Sequence, residues 1–174
     1  ERWVWRPIDI SPLPSSKDFH TVFSPKIDLS AFKGRKNVSI AFRYNMTGDL
    51  GRHYVTWQIN QFELTGRGPL SPFKNRIKKI LEHKFDKKEL APFKNYSSPE
   101  SSPRWTPFGF SGSYKFAKIS VKDKPANAWL VSPSYKISND AKELSLLIKE
   151  VVRQVNFNEA RILISKVYKE GSRD

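Results

Sequence analysis

An all-β protein, built as a sandwich or a barrel, is what this sequence predicts, and three observations carry that expectation. Apolar residues alternate with polar ones in several short runs, the mark of strands with one buried face. Stretches rich in Pro and Ser separate those runs, and Pro denies long helices. The chain has 174 residues, 38% of them hydrophobic and 13% aromatic. A globule of that size hides roughly 70% of the surface its unfolded chain exposes, so it needs no staples.

The elements follow in order along the chain. Residues 1–31 hold Pro7, Pro12, Pro14 and Pro25 around the short pieces Ile8-Asp9-Ile10 and Ile27-Asp28-Leu29. Such a segment yields only edge strands or short runs. Asp28 has the position of a turn residue. Lys33-Gly34-Arg35-Lys36 reads as a turn, and Val38, Ile40, Phe42 and Tyr44 then alternate as a half-buried strand. In Tyr54–Leu64, Val55, Trp57 and Ile59 share one face. The pattern slips to Phe62 and Leu64, which predicts a bulge near Asn60-Gln61.

Thr65-Gly66-Arg67-Gly68-Pro69 breaks the pattern and is the best linker candidate. Within 67–94, Ile77, Ile80, Leu81 and Phe85 have helical spacing, the one place where a short helix is expected. Residues 95–107 read as a Ser/Pro-rich loop. Tyr114–Val121 alternates as a strand, and Ala128-Trp129-Leu130-Val131 is a short apolar run stopped by Ser132-Pro133. Leu144, Leu147, Ile148, Val151, Val152 and Val155 fit a helix, while Leu144, Leu146 and Ile148 fit a strand. Arg161–Tyr168, with Ile162 and Ile164 on one face, is a strand.

Composition narrows the classes. Eight Gly and twelve Pro are too few for a low-complexity chain. There is no Cys, hence no disulfide framework, thiolate metal site or cysteine nucleophile. No run approaches the ~18 apolar residues of a membrane-spanning helix, and no membrane insertion is expected. The first residues lack the charged and apolar regions of a signal peptide. Lys and Arg number 31 against 17 Asp and Glu, a net charge of +14. Such a surface attracts polyanions: acidic glycan, lipopolysaccharide, nucleic acid or anionic lipid.

Two blocks carry a resemblance. The first is Ser24–Tyr44, with Ile27-Asp28-Leu29-Ser30-Ala31-Phe32-Lys33-Gly34 leading into Val38-Ser39-Ile40-Ala41-Phe42-Arg43-Tyr44, followed by Trp57-Gln58-Ile59-Asn60. It resembles the closing half of the choice-of-anchor J, or cleaved-adhesin, jelly-roll domain of Bacteroidota surface proteins. The second is Tyr114-Lys115-Phe116-Ala117-Lys118-Ile119-Ser120, followed by Asn127-Ala128-Trp129-Leu130-Val131-Ser132-Pro133. It resembles the opening half of the same family, and the match is thin through 67–105. The halves stand in reversed order. Joining Lys166–Asp174 to Glu1–Pro7 restores the family order. One domain over 1–174 is expected, built from 1–66 and 67–174. It is either a circular permutant or one period cut out of register from a tandem array.

The resemblance implies a jelly-roll β-sandwich, with strand rather than helix at 144–155, secreted or displayed at a cell surface. It also implies calcium beside the two Trp motifs. Here the acidic positions are Asn60 and Asn127, which remove the charge that hard cations need. Calcium is therefore disfavoured, and no cofactor is expected.

Trp57 and Trp129, inside apolar runs, read as core. Trp3, Trp5 and Trp105 lie among polar and Pro-rich neighbours and read as an exposed stacking face. The basic candidates are Lys33, Arg35 and Lys36 in one turn, Arg52 in another, and Lys78 and Lys79 in the densest run, which includes Lys84, Lys87 and Lys88. His20, His53 and His83 have no metal-ligand spacing and read as surface residues. There is no nucleophile elbow, phosphate loop or nucleic-acid module signature. The expected function is a non-catalytic adhesion module for glycan or a surface protein. The alternatives are a structural repeat of an extracellular assembly and a binder of anionic polymers.

Overall fold

The computed structural model describes residues 5–8, 21–23, 27–46, 54–67, 77–85, 89–100, 102–110, 114–122, 125–137, 139, 144–153 and 160–166. These form twelve strands in chain order: β1 (Arg6–Ile8), β2 (Thr21–Phe23), β3 (Ile27–Asp28), β4 (Ser39–Met46), β5 (Tyr54–Arg67), β6 (Ile77–Lys84), β7 (Lys94–Ser97), β8 (Thr106–Phe110), β9 (Tyr114–Lys122), β10 (Ala126–Val131), β11 (Leu144–Arg153) and β12 (Ala160–Ser165). A single 3₁₀ turn, Ser30–Phe32, is the helical content of the described residues. The strands make two sheets. One has five strands in the order β1-β12-β4-β10-β7. The other has seven, in the order β2-β11-β5-β9-β8, with β3 also on β11 and β6 also on β5. Every ladder is antiparallel. The fold is a β-sandwich, as the alternation predicts, and is jelly-roll-like, as the resemblance implies.

Alternation decides which residues fill the space between the sheets. From the five-stranded sheet come Ile40, Phe42, Tyr44 and Met46 of β4, Leu130 of β10, and Ile162 and Ile164 of β12. The other sheet contributes Trp57, Ile59, Phe62 and Leu64 of β5, with Ile119 and Val121 of β9. Phe42 joins the layers, with edge-on ring contacts to Trp57 at 6.0 Å and Phe62 at 6.2 Å between centroids. Both blocks of chain supply both sheets. β4 lies between β12 and β10, and β5 pairs with β11 on one side and β9 and β6 on the other.

The bulge falls where the pattern slips. β11 matches Glu150 to Ile59 and Lys149 to Gln61, so Asn60 is the extra residue of the bulge. The turn at 33–36 forms as read, with Gly34 at φ 74°, a left-handed value that suits glycine. Asp28 makes its turn by accepting the Ser30 N–H at 2.8 Å and the Ser30 hydroxyl at 2.9 Å. Those bonds stabilise the charged carboxylate and hold its pKa below the ordinary value, the backbone bond contributing most. Pro7 and Pro107 both sit on outermost strands, where a missing N–H costs no ladder bond.

Three expectations need correction. The helical spacing at 77–85 belongs to strand β6. It follows β5 with an irregularity between Leu64↔Leu81 and Thr65↔Lys79, which leaves Ile80 extra and breaks simple alternation. Over 144–153, where the periodicity fits both helix and strand, the strand that the resemblance implies forms as β11, because β5 on one side and β2 with β3 on the other take up its backbone groups. The proposed linker is partly strand, since β5 runs to Arg67. The loop at 95–107 carries the end of β7 and the start of β8.

Candidate functional site

The five-stranded sheet has a second face, turned away from the core. Along β4, Ala41 and Arg43 point there, since Ile40 and Phe42 point inward. Opposite them lie Val131 and Trp129 of β10, and Leu163 and Arg161 of β12. β7 adds Lys94 opposite Val131 and Tyr96 opposite Trp129. Ala41, Val131 and Leu163 form a small apolar cluster on this outer face, and Trp5, Tyr96 and Trp129 pack against it. Those three aromatic residues cover the cluster yet remain partly exposed themselves. Trp5, just before β1, brings its ring centroid to 5.7 Å from that of Trp129, with the planes tilted by 52°.

Asn127 fixes this arrangement. Its Oδ1 accepts the Trp129 indole N–H at 2.9 Å and the Arg43 Nε–H at 3.1 Å. The Arg43 guanidinium lies over the Trp129 ring, 4.6 Å from the centroid, an attraction between cation and ring face. The result is a ledge of two mutually tilted indoles and a phenol, with a guanidinium over one of the indoles. Aromatic faces of this kind pack against the apolar side of a sugar ring. The guanidinium and Asn127 offer hydrogen bonding beside them.

Sequence reasoning located part of this face. Trp5 is part of it. Trp3 and Arg52 lie outside the described residues, as do His20 and His53. Trp105 is not exposed. Only 1% of its surface meets solvent, its ring lies 5.1 Å from Trp57, and its carbonyl accepts the Asn95 side-chain N–H at 2.7 Å. Its polar, Pro-rich neighbours form a segment that folds the indole inward, so their composition misled. Trp129 is the converse error, since it belongs to the outer face rather than the core. The contiguous run Ala128-Trp129-Leu130-Val131 hides the facing. Asn127, two residues earlier, gives it away, because residues two apart share a face.

Lys33, Arg35 and Lys36 occupy the turn before β4, where the Arg35 carbonyl accepts the Ile137 N–H at 2.8 Å. Lys78 and Lys79 are on β6, in the seven-stranded sheet. They do not join the Trp5–Trp129 face. His83 is partly buried rather than a surface residue, 4.6 Å from the Phe85 ring and 5.0 Å from that of Phe93. Arg43, Tyr96 and Arg161 were missed, because only cross-strand register unites them.

The calcium positions of the resembled family do not fit a cation here. The Asn127 oxygen already takes two donors. Asn60 is the bulge residue, and its carbonyl accepts the Phe85 N–H at 3.3 Å. Among the described residues, no three His, Asp or Glu side chains cluster to hold a metal, and no helix is long and apolar enough to cross a membrane. No family model, curated protein or solved structure matches this chain.

Proposed function

We propose that this chain is a non-catalytic adhesion module, secreted or displayed at a cell surface, that binds glycan through the outer face of its five-stranded sheet. The observation that carries the reading is the Trp5–Trp129–Arg43 group held by Asn127. Trp57 and Trp105 fill the interior. Trp5 and Trp129 instead keep part of their surface in water on an open face. The resemblance to cleaved-adhesin domains supports the same reading.

A glycan array at physiological salt, with and without calcium, tests the proposal. The expected result is binding to a defined set of oligosaccharides, unchanged by calcium. In Trp5→Ala and Trp129→Ala variants that retain a cooperative unfolding transition, affinity falls about tenfold or more, the scale of a lost aromatic anchor. Undiminished binding in both variants contradicts it. So does concentration-dependent self-association without any sugar binding, which points to an assembly repeat.

A further inference from the structure

The interior holds polar atoms that its packing leaves unanswered. The indole N–H groups of Trp57 and Trp105 and the side-chain oxygen of Asn95 are buried, and none of the three has a hydrogen-bond partner among the described residues. A buried donor or acceptor without a partner forfeits its hydration and gains nothing in return. Native interiors rarely leave such groups unmatched, least of all several in one place.

The three groups come from three elements and lie together. Trp57 reaches into the core from β5, in the seven-stranded sheet. Trp105 stands just before β8, the outermost strand at one end of that sheet. The two indole rings are 5.1 Å apart between centroids, with their planes tilted by 58°. Asn95 is on β7, the outermost strand of the five-stranded sheet, and opposite it is Leu130, which points into the core. The Asn95 Nδ2 donates to the Trp105 carbonyl at 2.7 Å. That bond ties the amide to the Trp105 segment and uses its nitrogen, while its oxygen stays buried and unmatched.

Two donors and one acceptor define the ligand. An anion would accept from both N–H groups but is repelled by an amide oxygen, and a cation suits the oxygen but not the N–H groups. Water accepts twice and donates twice, so a single molecule answers all three atoms. Three hydrogen bonds is also the usual complement of an internal water. We infer that Trp57, Trp105 and Asn95 form a binding site for one internal water molecule, which accepts from both indole N–H groups and donates to Asn95 Oδ1. The bridge joins the edge strand of one sheet to the segment that enters β8 of the other. It lies behind the outer face, since Asn95 turns inward where its neighbour Tyr96 turns out. The inference is independent of the glycan reading.

The test uses the ¹⁵N-labelled full chain without ligand. Magnetisation transfer between water and the indole N–H protons is expected at both Trp57 and Trp105, with the sign of a pair that tumbles together with the protein. Transfer at fewer than both indoles overturns the shared site. A second measurement replaces the Trp105 indole N–H by sulfur, which keeps the ring shape and removes the donor. If water holds that N–H, the folding equilibrium constant from urea unfolding falls about fivefold, the scale of one hydrogen bond. If the N–H has no partner, its removal relieves a penalty, so an unchanged or larger constant overturns the inference. Titration of chloride into halide-free buffer is expected to leave both indole signals in place. A saturable shift of both overturns water as the occupant in favour of an anion.

Discussion

The Ser132 hydroxyl accepts the buried Ile40 N–H at 2.9 Å and donates to the Pro133 carbonyl at 2.9 Å. It caps the ladder where Pro133 prevents β10 from continuing. Three residues on, Tyr135 pairs its backbone with Val38, at 2.9 and 2.8 Å, and stacks on Phe62 at 6.2 Å. Burial pushes its phenol up from 10.0 to about 12, against the opposing pull of a hydrogen bond with Ser132. The fold thus favours the neutral phenol. Its contribution is complete below pH 10, where both folded and unfolded chains hold the proton. Between pH 10 and about 12 the unfolded chain ionises first, so on the order of 2 kcal/mol is lost as pH rises. Urea unfolding followed from pH 9 to 12 is expected to show a shallower fall in Tyr135→Phe than in the parent. Parallel curves contradict the assignment. At this scale the sequence misled for Trp105 and Trp129 alike, because neighbour composition does not say which way a side chain turns.

The longest strand, β5, keeps Trp57, Ile59, Phe62 and Leu64 on one buried face only because Asn60 is an extra residue. Its deletion is therefore tolerated. Ile59 and Gln61 become adjacent, their β11 partners Glu150 and Lys149 are already adjacent, and the four core residues keep their facing. The lost bond from Phe85 to the Asn60 carbonyl costs about 1 kcal/mol. Deleting Gln58 instead makes Trp57 and Ile59 neighbours, which cannot share a face of a strand. Urea denaturation is expected to give one cooperative transition for the Asn60 deletion and none for the Gln58 deletion. Two equally stable variants contradict the account of the bulge. This slip was legible in the sequence, as were β4, β5, β9 and β12, because regular alternation is a local signal. Strands β6 and β7 were not legible. Their residues lack clean alternation: β6 folds back on the preceding strand β5 with an irregular register, and β7 is held by β10, with β8 and β9 between them in the chain. Strand β11 carried both periodicities, and its neighbours on both sides decided the outcome.

Across the whole molecule, the inner face of the five-stranded sheet builds the core and its outer face presents the ledge. The same alternation serves both: Phe42 points in and Arg43 out, Leu130 in and Trp129 out, Ile162 in and Arg161 out. The outer group draws on residues at 5, 43, 96, 127, 129 and 161, so no local window of sequence displays it. The net charge of +14 marks no single patch, since its cations are spread over both sheets and the loops, and only register brings Arg43 and Arg161 together. The five indole N–H signals of a ¹⁵N-labelled sample report on the central claim directly. On titration with a glycan that binds, the signals of Trp5 and Trp129 are expected to shift, while those of the buried Trp57 and Trp105 stay in place. Shifts confined to Trp57 and Trp105, or binding that moves no indole signal, would contradict the assignment of function to the outer face.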